Sequence, residues 1–461
     1  MRHGTKTVLT IVIIAAVALW ITLPPRLDIV TPRLGIPVIT QAGKEFTIEM
    51  KSSVPYYFPT LKWRLQQGDK GYDLQQTSAR RGFAHERLTV KLPDEIATGP
   101  YSLIGESRDG EQIEHVKTVH IVDSVPEDFS IIQLADLPTL GGDEKGDKLL
   151  LQIVNEINII NPDVVLFTGD VAYGGSWDQY RRLVDTLAKV DSPVIVVAGN
   201  HEYEGWAGYL NYFVKPYHAV DYGRYRFISL NSGHNRDQIT ESQYHWLRDE
   251  LRNLRGKTPI VQLHHPLLHK KGQGGYVQVR AADLVKLFKH YGVPIVLSGH
   301  WHGDMVFDEK GHEHRDTWDF PGTPYVTTTT AGADLRPDYS ASPLHHGYRL
   351  IRLDGAKLVS YTYDYDGNGE RDAAASIPVG KLNVVYQGNN AIIVKNDLNE
   401  ALPNAKLKII TNDLDTRWRP TQGKLLRQVE SDGQKTYEIL IDLPAHSETS
   451  VALTKINTEA N

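Results

Sequence analysis

From residue 130 to about 365 the apolar positions follow two alternating rhythms. Short runs, apolar almost throughout (IIQLA, DVVLF, PVIVV, PIVQL, PIVLS), alternate with longer segments in which apolar residues recur every three or four positions, such as KLLLQIVNEINII, DQYRRLVDTLAKV, ESQYHWLRDELRNL and AADLVKLFKHYG. The first kind predicts strands buried on both faces and the second predicts helices that cover them. Their alternation predicts an α/β region with largely parallel strands. HHGYRLIRL and LVSYTYDY close it as further strands.

On either side the rhythm is that of short half-buried strands. FTIEM, LKWRL, ERLTVKL, YSLIGES and VKTVHIV precede the α/β region; LNVVYQ, AIIVKN, KLKIIT, TYEILIDL and SVALTK follow it. Gly, Pro, Asp and Asn punctuate both sets, which predicts a small β-sandwich at each end. The expected organisation is a leader at 1–25, a β-sandwich at 26–125, a catalytic α/β domain at 126–365 and a second β-sandwich at 376–461.

The leader is basic at MRHGTK and then uncharged from Thr7 to Leu23, before Pro24-Pro25. A double proline ends any helix. Such a segment is either a signal peptide, with Ala16-Val17-Ala18 as small residues for cleavage, or a signal anchor at the short end of what spans a bilayer. Arg2 and Lys6 favour the N-terminus inside. The expectation is a membrane-anchored chain with an extracytoplasmic body, or a secreted one.

Composition narrows the chemistry. The chain has 461 residues, 23% of them charged, a net charge of −6, 19 histidines and no cysteine. No block of like charges suggests nucleic acid as a partner. Disulfides, thiolate metal sites and a cysteine nucleophile are excluded, so any metal is held by His, Asp, Glu, Asn or Tyr.

The strand ends supply those groups. IIQLAD ends on Asp136, LFTGD on Asp170, VVAGNHE on Asn200, His201 and Glu202, VQLHH on His264 and His265, and VLSGHWH on His300 and His302. In open α/β sheets ligands collect at the carboxyl ends of strands. A lone Asp or His there is an ordinary loop residue, but five such tips in one region form a donor set suited to two divalent or trivalent ions. Glycine precedes Asp170, Asn200 and His300, where it lets the backbone turn sharply beside an ion.

In order, spacing and strand context these stretches resemble the calcineurin-like metallophosphoesterases, whose pattern is D-x-H, GD, GNH[ED], H and GHxH. The resemblance covers about 130–365. It implies a four-layer αββα sandwich, here flanked by N- and C-terminal all-β, immunoglobulin-like domains, and a dinuclear centre of Fe, Mn or Zn. Carried over by position, Asp170 bridges the metals, Asp136 and His302 hold the first, and Asn200, His264 and His300 hold the second. Asn200 and His201 contact the phosphate, and His201 assists the leaving group. The histidine of D-x-H is replaced by Pro138, which cannot bind a metal. Purple acid phosphatases also lack that histidine, carry GDxxY and are preceded by a β-sandwich. By similarity to them, Tyr173 takes the vacant ligand position; the alternative is that it only lines the site.

The function this implies is hydrolysis of phosphate esters by a hydroxide held between two metals. Alternatives are hydrolysis of cyclic-nucleotide or other diesters, and a cell-surface interaction protein with a degenerate catalytic domain. His265 and His269 are spare imidazoles near the substrate, with His265 the candidate binder; His312, His314, His345 and His346 read as surface. DYDGNGERD, Asp364 to Asp372, resembles the start of a calcium loop, although Ala375 stands where a bidentate Glu is expected.

Overall fold

The computed structural model describes residues 26–137, 144–234 and 239–456. The leader, with its candidate membrane segment, and Pro138 lie outside the described residues. Among the described residues no helix is long and apolar enough to cross a membrane.

The central region is built from two six-stranded sheets face to face. Its strands are β1 (Asp128–Leu134), β2 (Val164–Thr168), β3 (Val194–Val197), β4 (His218–Tyr222), β5 (Tyr225–Leu230), β6 (Thr258–Leu263), β7 (Val296–Ser298), β8 (Met305–Phe307), β9 (Tyr325–Thr327), β10 (Gly347–Asp354) and β11 (Lys357–Ser360). The first sheet runs β3-β2-β1-β10-β11, with the short strand Ile377–Pro378 paired on β10; the second runs β4-β5-β6-β7-β9-β8. In the first, β3, β2 and β1 are parallel along one side and β10 and β11 antiparallel along the other; the second has a parallel centre, β5-β6-β7-β9, with antiparallel margins at β4 and β8. The expectation of largely parallel strands therefore holds for β3-β2-β1 and for β5-β6-β7-β9, and not for the strands that flank them. LVSYTYDY is a strand only through Ser360.

Side-chain alternation assigns the layers. Along β1, Phe129 and Ile131 face the core between the sheets, while Ile132 and Leu134 face outward. The outward face is covered by α1 (Glu144–Ile160), α2 (Trp177–Leu187) and α3 (Trp206–Tyr212). Leu150, Ile153, Val154 and Ile157 of α1 recur at helical spacing and are all buried, which is the stripe a covering helix needs. The second sheet's outer face is covered by α4 (Glu241–Arg252) and α5 (Ala281–His290). Side chains start two of these helices: Ser176 and Gln179 form a capping box, and Thr240 accepts from the Gln243 N–H. The result is the four-layer αββα sandwich.

The flanking regions are all-β. Residues 27–121 form a four-stranded and a five-stranded sheet around a core containing Trp63, Leu65, Tyr101 and Leu103. Residues 382–455 form a four-stranded and a three-stranded sheet, and Leu402, Leu407, Ile439 and Leu443 share one continuous core with α1.

Candidate metal centre

The strand tips of both sheets meet along one line because a buried polar layer joins the sheets beneath them. Gln133, on β1, donates to Thr168 Oγ1 at 3.0 Å and across the interface to the Ser298 carbonyl at 2.9 Å. Just beyond, the His300 N–H donates to Asp136 Oδ2 at 2.8 Å and the Gly299 N–H to the His264 carbonyl at 3.0 Å. These bonds tie the β1 and β6 ends to the β7 end.

The turns that follow are tight. Asp136, Asp170, His300 and His302 all have positive φ, between 49° and 71°, a region that costs a non-glycine residue roughly 1–3 kcal/mol and concentrates at functional sites. The neighbouring glycines are required by contact. A Cβ on Gly199 would lie 2.1 Å from Asp170 Oδ1, and one on Gly299 would lie 2.8 Å from Asp136 Oδ2.

Six side chains converge. His264 Nε2 is 3.1 Å from Asn200 Oδ1, 3.1 Å from His300 Nδ1 and 3.2 Å from Asp170 Oδ2. His302 Nε2 is 3.4 Å from Asp136 Oδ1. Two imidazoles turn Nε2 toward the cluster: His264 Nδ1–H donates to the Thr168 carbonyl at 2.9 Å, and His302 Nδ1–H to the Asp334 carbonyl at 2.6 Å. Ligand atoms about 2.0–2.2 Å from one ion stand roughly 3 Å from each other, which is the spacing of this set. Asp136 Oδ1 is buried and accepts no hydrogen bond. A buried carboxylate oxygen without a donor is costly, and a cation there removes the cost. The residues present therefore fit a metal centre.

The electrostatics agree. Burial opposes charge on His264, yet Asp170, with Asp136 behind it, raises its pKa to about 9. Burial likewise opposes ionisation of Asp170, but His264 and His201 outweigh it and hold the carboxyl below its usual range. Burial and the neighbouring His264 push His300 down to about 3. The cluster is thus a set of carboxylates in want of positive charge beside an imidazole with a bare lone pair.

The cluster opens onto a cavity of about 1090 Å³, lined near it by Asp136, Asp170, Tyr173, His201 and His302 and on the far wall by residues of α1 and of the 332–336 loop. His201 Nε2 lies 3.9 Å from Asp170 Oδ2. Tyr173 is 54% exposed and its ring lies 4.7 Å from that of His201. His265, expected at the substrate, is instead 2% exposed; its Nδ1 bonds Ser232 Oγ at 2.8 Å and its ring backs His300 at 4.2 Å. The two adjacent imidazoles stand 5.0 Å apart, and His264, His265 and His300 each have a ring nitrogen within 4.8 Å of the others. His269 stacks on Tyr276 at 3.5 Å. His346, read as surface, lines the cavity, with Nε2 bonded to the Ala333 carbonyl.

Two features went unassigned in the sequence. Glu202 is fully buried and accepts N–H groups from Asp170, Ala172 and Gly199, so one carboxylate fixes both metal-side turns. Its place as the fourth residue of GNHE was the available signal. Asp304 accepts from Arg349 at 2.8 Å, from the Thr329 N–H and from Ser376, all fully buried or nearly so. It anchors the GHWHGD loop from below.

At the calcium-like loop, Asp364, Asp366 and Asp372 each place a carboxylate oxygen within 4.8 Å of the others. These carboxylates also accept the N–H groups of Gly367, Gly369, Asn368 and Tyr365.

Two facing α/β sheets between helices, with carboxylates, an amide and imidazoles gathered at their joint edge, define a class: proteins that hold metal ions at the strand ends of an αββα sandwich. Residues 129–304 match the calcineurin-like phosphoesterase family. Among curated proteins, the chain is 27% identical over 199 residues to a cAMP/cGMP dual specificity phosphodiesterase of Mycobacterium tuberculosis, covering 38% of this chain and 62% of that protein. It is 28% identical over 177 residues to a probable glycerophosphodiester phosphodiesterase of Arcobacter nitrofigilis, covering 34% and 63%. The matches thus span less than two thirds of those relatives. Among solved structures, a purple acid phosphatase from yellow lupin seeds is similar at TM-score 0.47 and 14% identity, over 81% of this chain and 72% of that one.

Proposed function

We propose that the protein is a metal-dependent phosphoesterase with a dinuclear centre. The observation that supports this is the convergence of Asp136, Asp170, Asn200, His264, His300 and His302 around a buried, unpartnered carboxylate oxygen. Asp136 and His302 would hold one ion, Asn200, His264 and His300 the other, with Asp170 between them. Two such ions, of Fe, Mn or Zn, supply Lewis acidity toward phosphoryl oxygens and a hydroxide near neutral pH. His201 stands at the cavity wall beside Asp170 and donates a proton to the departing oxygen. Glu202 and Asp304 hold the ligand turns in place, and His265 positions His300.

We assign Tyr173 to the first ion, in the place that Pro138 cannot fill; it shares the cavity wall with Asp136 and His302. A second role is favoured by its ring contact with His201: orienting that imidazole against substrate. The carboxylates of Asp364, Asp366 and Asp372 cap N–H groups of their own turn and also stand close enough together to share a calcium ion, since an oxygen that accepts one N–H keeps a second lone pair.

A second reading within the same chemistry is hydrolysis of diesters, since relatives matching this domain carry phosphodiesterase names. The test is metal analysis with turnover of p-nitrophenyl phosphate and bis-p-nitrophenyl phosphate after loading with Fe, Mn or Zn. Two metals per chain with turnover support the enzyme, and the preferred ester separates the readings. A chain that binds no metal and turns over neither ester is the degenerate scaffold instead.

A further inference from the structure

The end of the N-terminal sandwich where the chain enters it carries three exposed aromatic residues that no core uses. Phe83 sits at the turn between strands Gln75–Arg81 and His85–Lys91 and is 65% exposed; Tyr56 and Tyr57, in the next loop, are 68% and 39% exposed. Tyr56 and Phe83 are not independent surface residues. Their rings meet edge to face at 5.6 Å, and the Tyr56 N–H donates to the Phe83 carbonyl at 2.8 Å. An apolar pair held out in water keeps the unfavourable hydration that burial would remove, and clustered exposed apolar groups mark an interaction surface.

Register places this pair beside the chain's entry. Leu27 pairs with Ser52, and Lys51 pairs with His85. The Ser53 N–H donates to the Arg26 carbonyl, and the Ser52 N–H to the Ala84 carbonyl. Arg26, Tyr56 and Phe83 therefore project from one end of one sheet. Only Pro24 and Pro25 separate Arg26 from Leu23, the last residue of the uncharged apolar run Thr7–Leu23. Three residue steps reach at most about 10 Å. If that run lies in a bilayer, this end of the sandwich has to stand at its surface.

Charge at this end suits anionic headgroups. Asp28 is ion-paired with Arg33 and Lys51, and Glu86 with Arg81. Among the described residues, Arg80, exposed on the same hairpin, has no carboxylate within ion-pair distance. The C-terminal sandwich meets the opposite end, where Arg427 donates to the Thr98 carbonyl, so it does not cover the aromatic tip.

We propose that Tyr56, Tyr57 and Phe83, with Arg80 beside them, form a bilayer contact that seats the N-terminal sandwich at headgroup level next to the Thr7–Leu23 segment. Aromatic rings favour that depth, and basic residues add attraction to anionic lipid. The contact fixes the height and tilt of the body above the membrane. It is independent of any catalytic activity.

The chain has no cysteine, so a single label is unambiguous. In the full chain, Gly82→Cys at the tip and, separately, Asn389→Cys on the C-terminal sandwich are labelled with an environment-sensitive fluorophore. Each protein is incubated with phosphatidylcholine–phosphatidylserine vesicles. The expected result is a blue shift and loss of iodide quenching at position 82 and neither change at position 389. In a Tyr56→Ser, Phe83→Ser background the label at 82 should become quenchable again while the protein stays on the vesicles and keeps its unfolding temperature. Equal quenching at 82 and 389 in vesicle-bound protein, or a full chain that does not bind vesicles, overturns the proposal. Phosphoesterase turnover measured in detergent is a separate readout, so loss of one reading leaves the other standing.

Discussion

Asp170 is the residue on which both halves of the metal cluster depend. It faces His264 at 3.2 Å, and its other oxygen accepts the His201 N–H at 2.9 Å. Asp170→Ala should bring phosphoester turnover to the uncatalysed background and release metal; retained turnover would sink the dinuclear reading. Gly199→Ala tests the same place by sterics alone. The added methyl would stand 2.1 Å from Asp170 Oδ1, so metal content should fall while far-UV circular dichroism stays native. Tyr173→Phe separates two roles. As a ligand, its loss should abolish any visible charge-transfer band of the iron-loaded protein; as a partner of His201 only, its loss should lower turnover and leave the spectrum alone. The donor residues were legible because each follows an apolar run in a fixed motif. The buried placement of His265 was not, because a sequence cannot say how deep the second of two adjacent histidines lies. The Asp304–Arg349 pair was illegible for another reason: its members lie 45 residues apart, and Asp304 falls just past the end of the GHWH motif.

Among the elements, α1 carries the clearest built-in pH dependence. Glu156 lies on its sheet-facing side, fully buried, and accepts from the Gly380 N–H at 2.8 Å and from Tyr348 Oη at 2.9 Å. Burial outweighs these bonds and raises its carboxyl from 4.5 to about 7. A carboxyl raised on folding contributes stability that is complete below its unfolded pKa and is lost as pH climbs through the folded value. Between about pH 4.5 and 7 the wild type should thus lose on the order of 3 kcal/mol at this position. Glu156→Gln should flatten that slope, and parallel unfolding curves for both proteins from pH 5 to 8 would refute the assignment. The helix itself was legible from Leu150, Ile153, Val154 and Ile157. Strand Gln75–Arg81 was not: every residue in it is exposed, so no alternation marks it, and backbone pairing with His85–Lys91 alone defines it. Strand β8 has three residues and pairs with β9, too short for any period to register.

At the scale of the molecule, one carboxylate joins all three units. Asp191, in the loop between α2 and β3, is 6% exposed. Its oxygens lie 3.1 Å from Lys117 Nζ of the N-terminal sandwich and 3.1 Å from Lys406 Nζ of the C-terminal one, with Lys408 Nζ also in contact. Burial opposes its ionisation, and the three lysines overcome it and hold the carboxyl far below its usual range. Removing one partner of a buried ion pair typically costs about 3–5 kcal/mol because the remaining charge is stranded. Lys406, with a side chain 5% exposed, is the stranded charge here. The consequence reaches the candidate active site through α1, which packs against the C-terminal sandwich on one face and lines the cavity with Gly146, Lys148, Leu149 and Gln152 near its start. Asp191→Ala should therefore lower the urea midpoint, split unfolding into separable transitions and expose the C-terminal sandwich to early proteolysis. It should also reduce turnover while the metal content stays at the wild-type level, because no ligand is touched. A single unshifted transition with unchanged turnover would mean that the flanking sandwiches neither stabilise the centre nor shape its cavity.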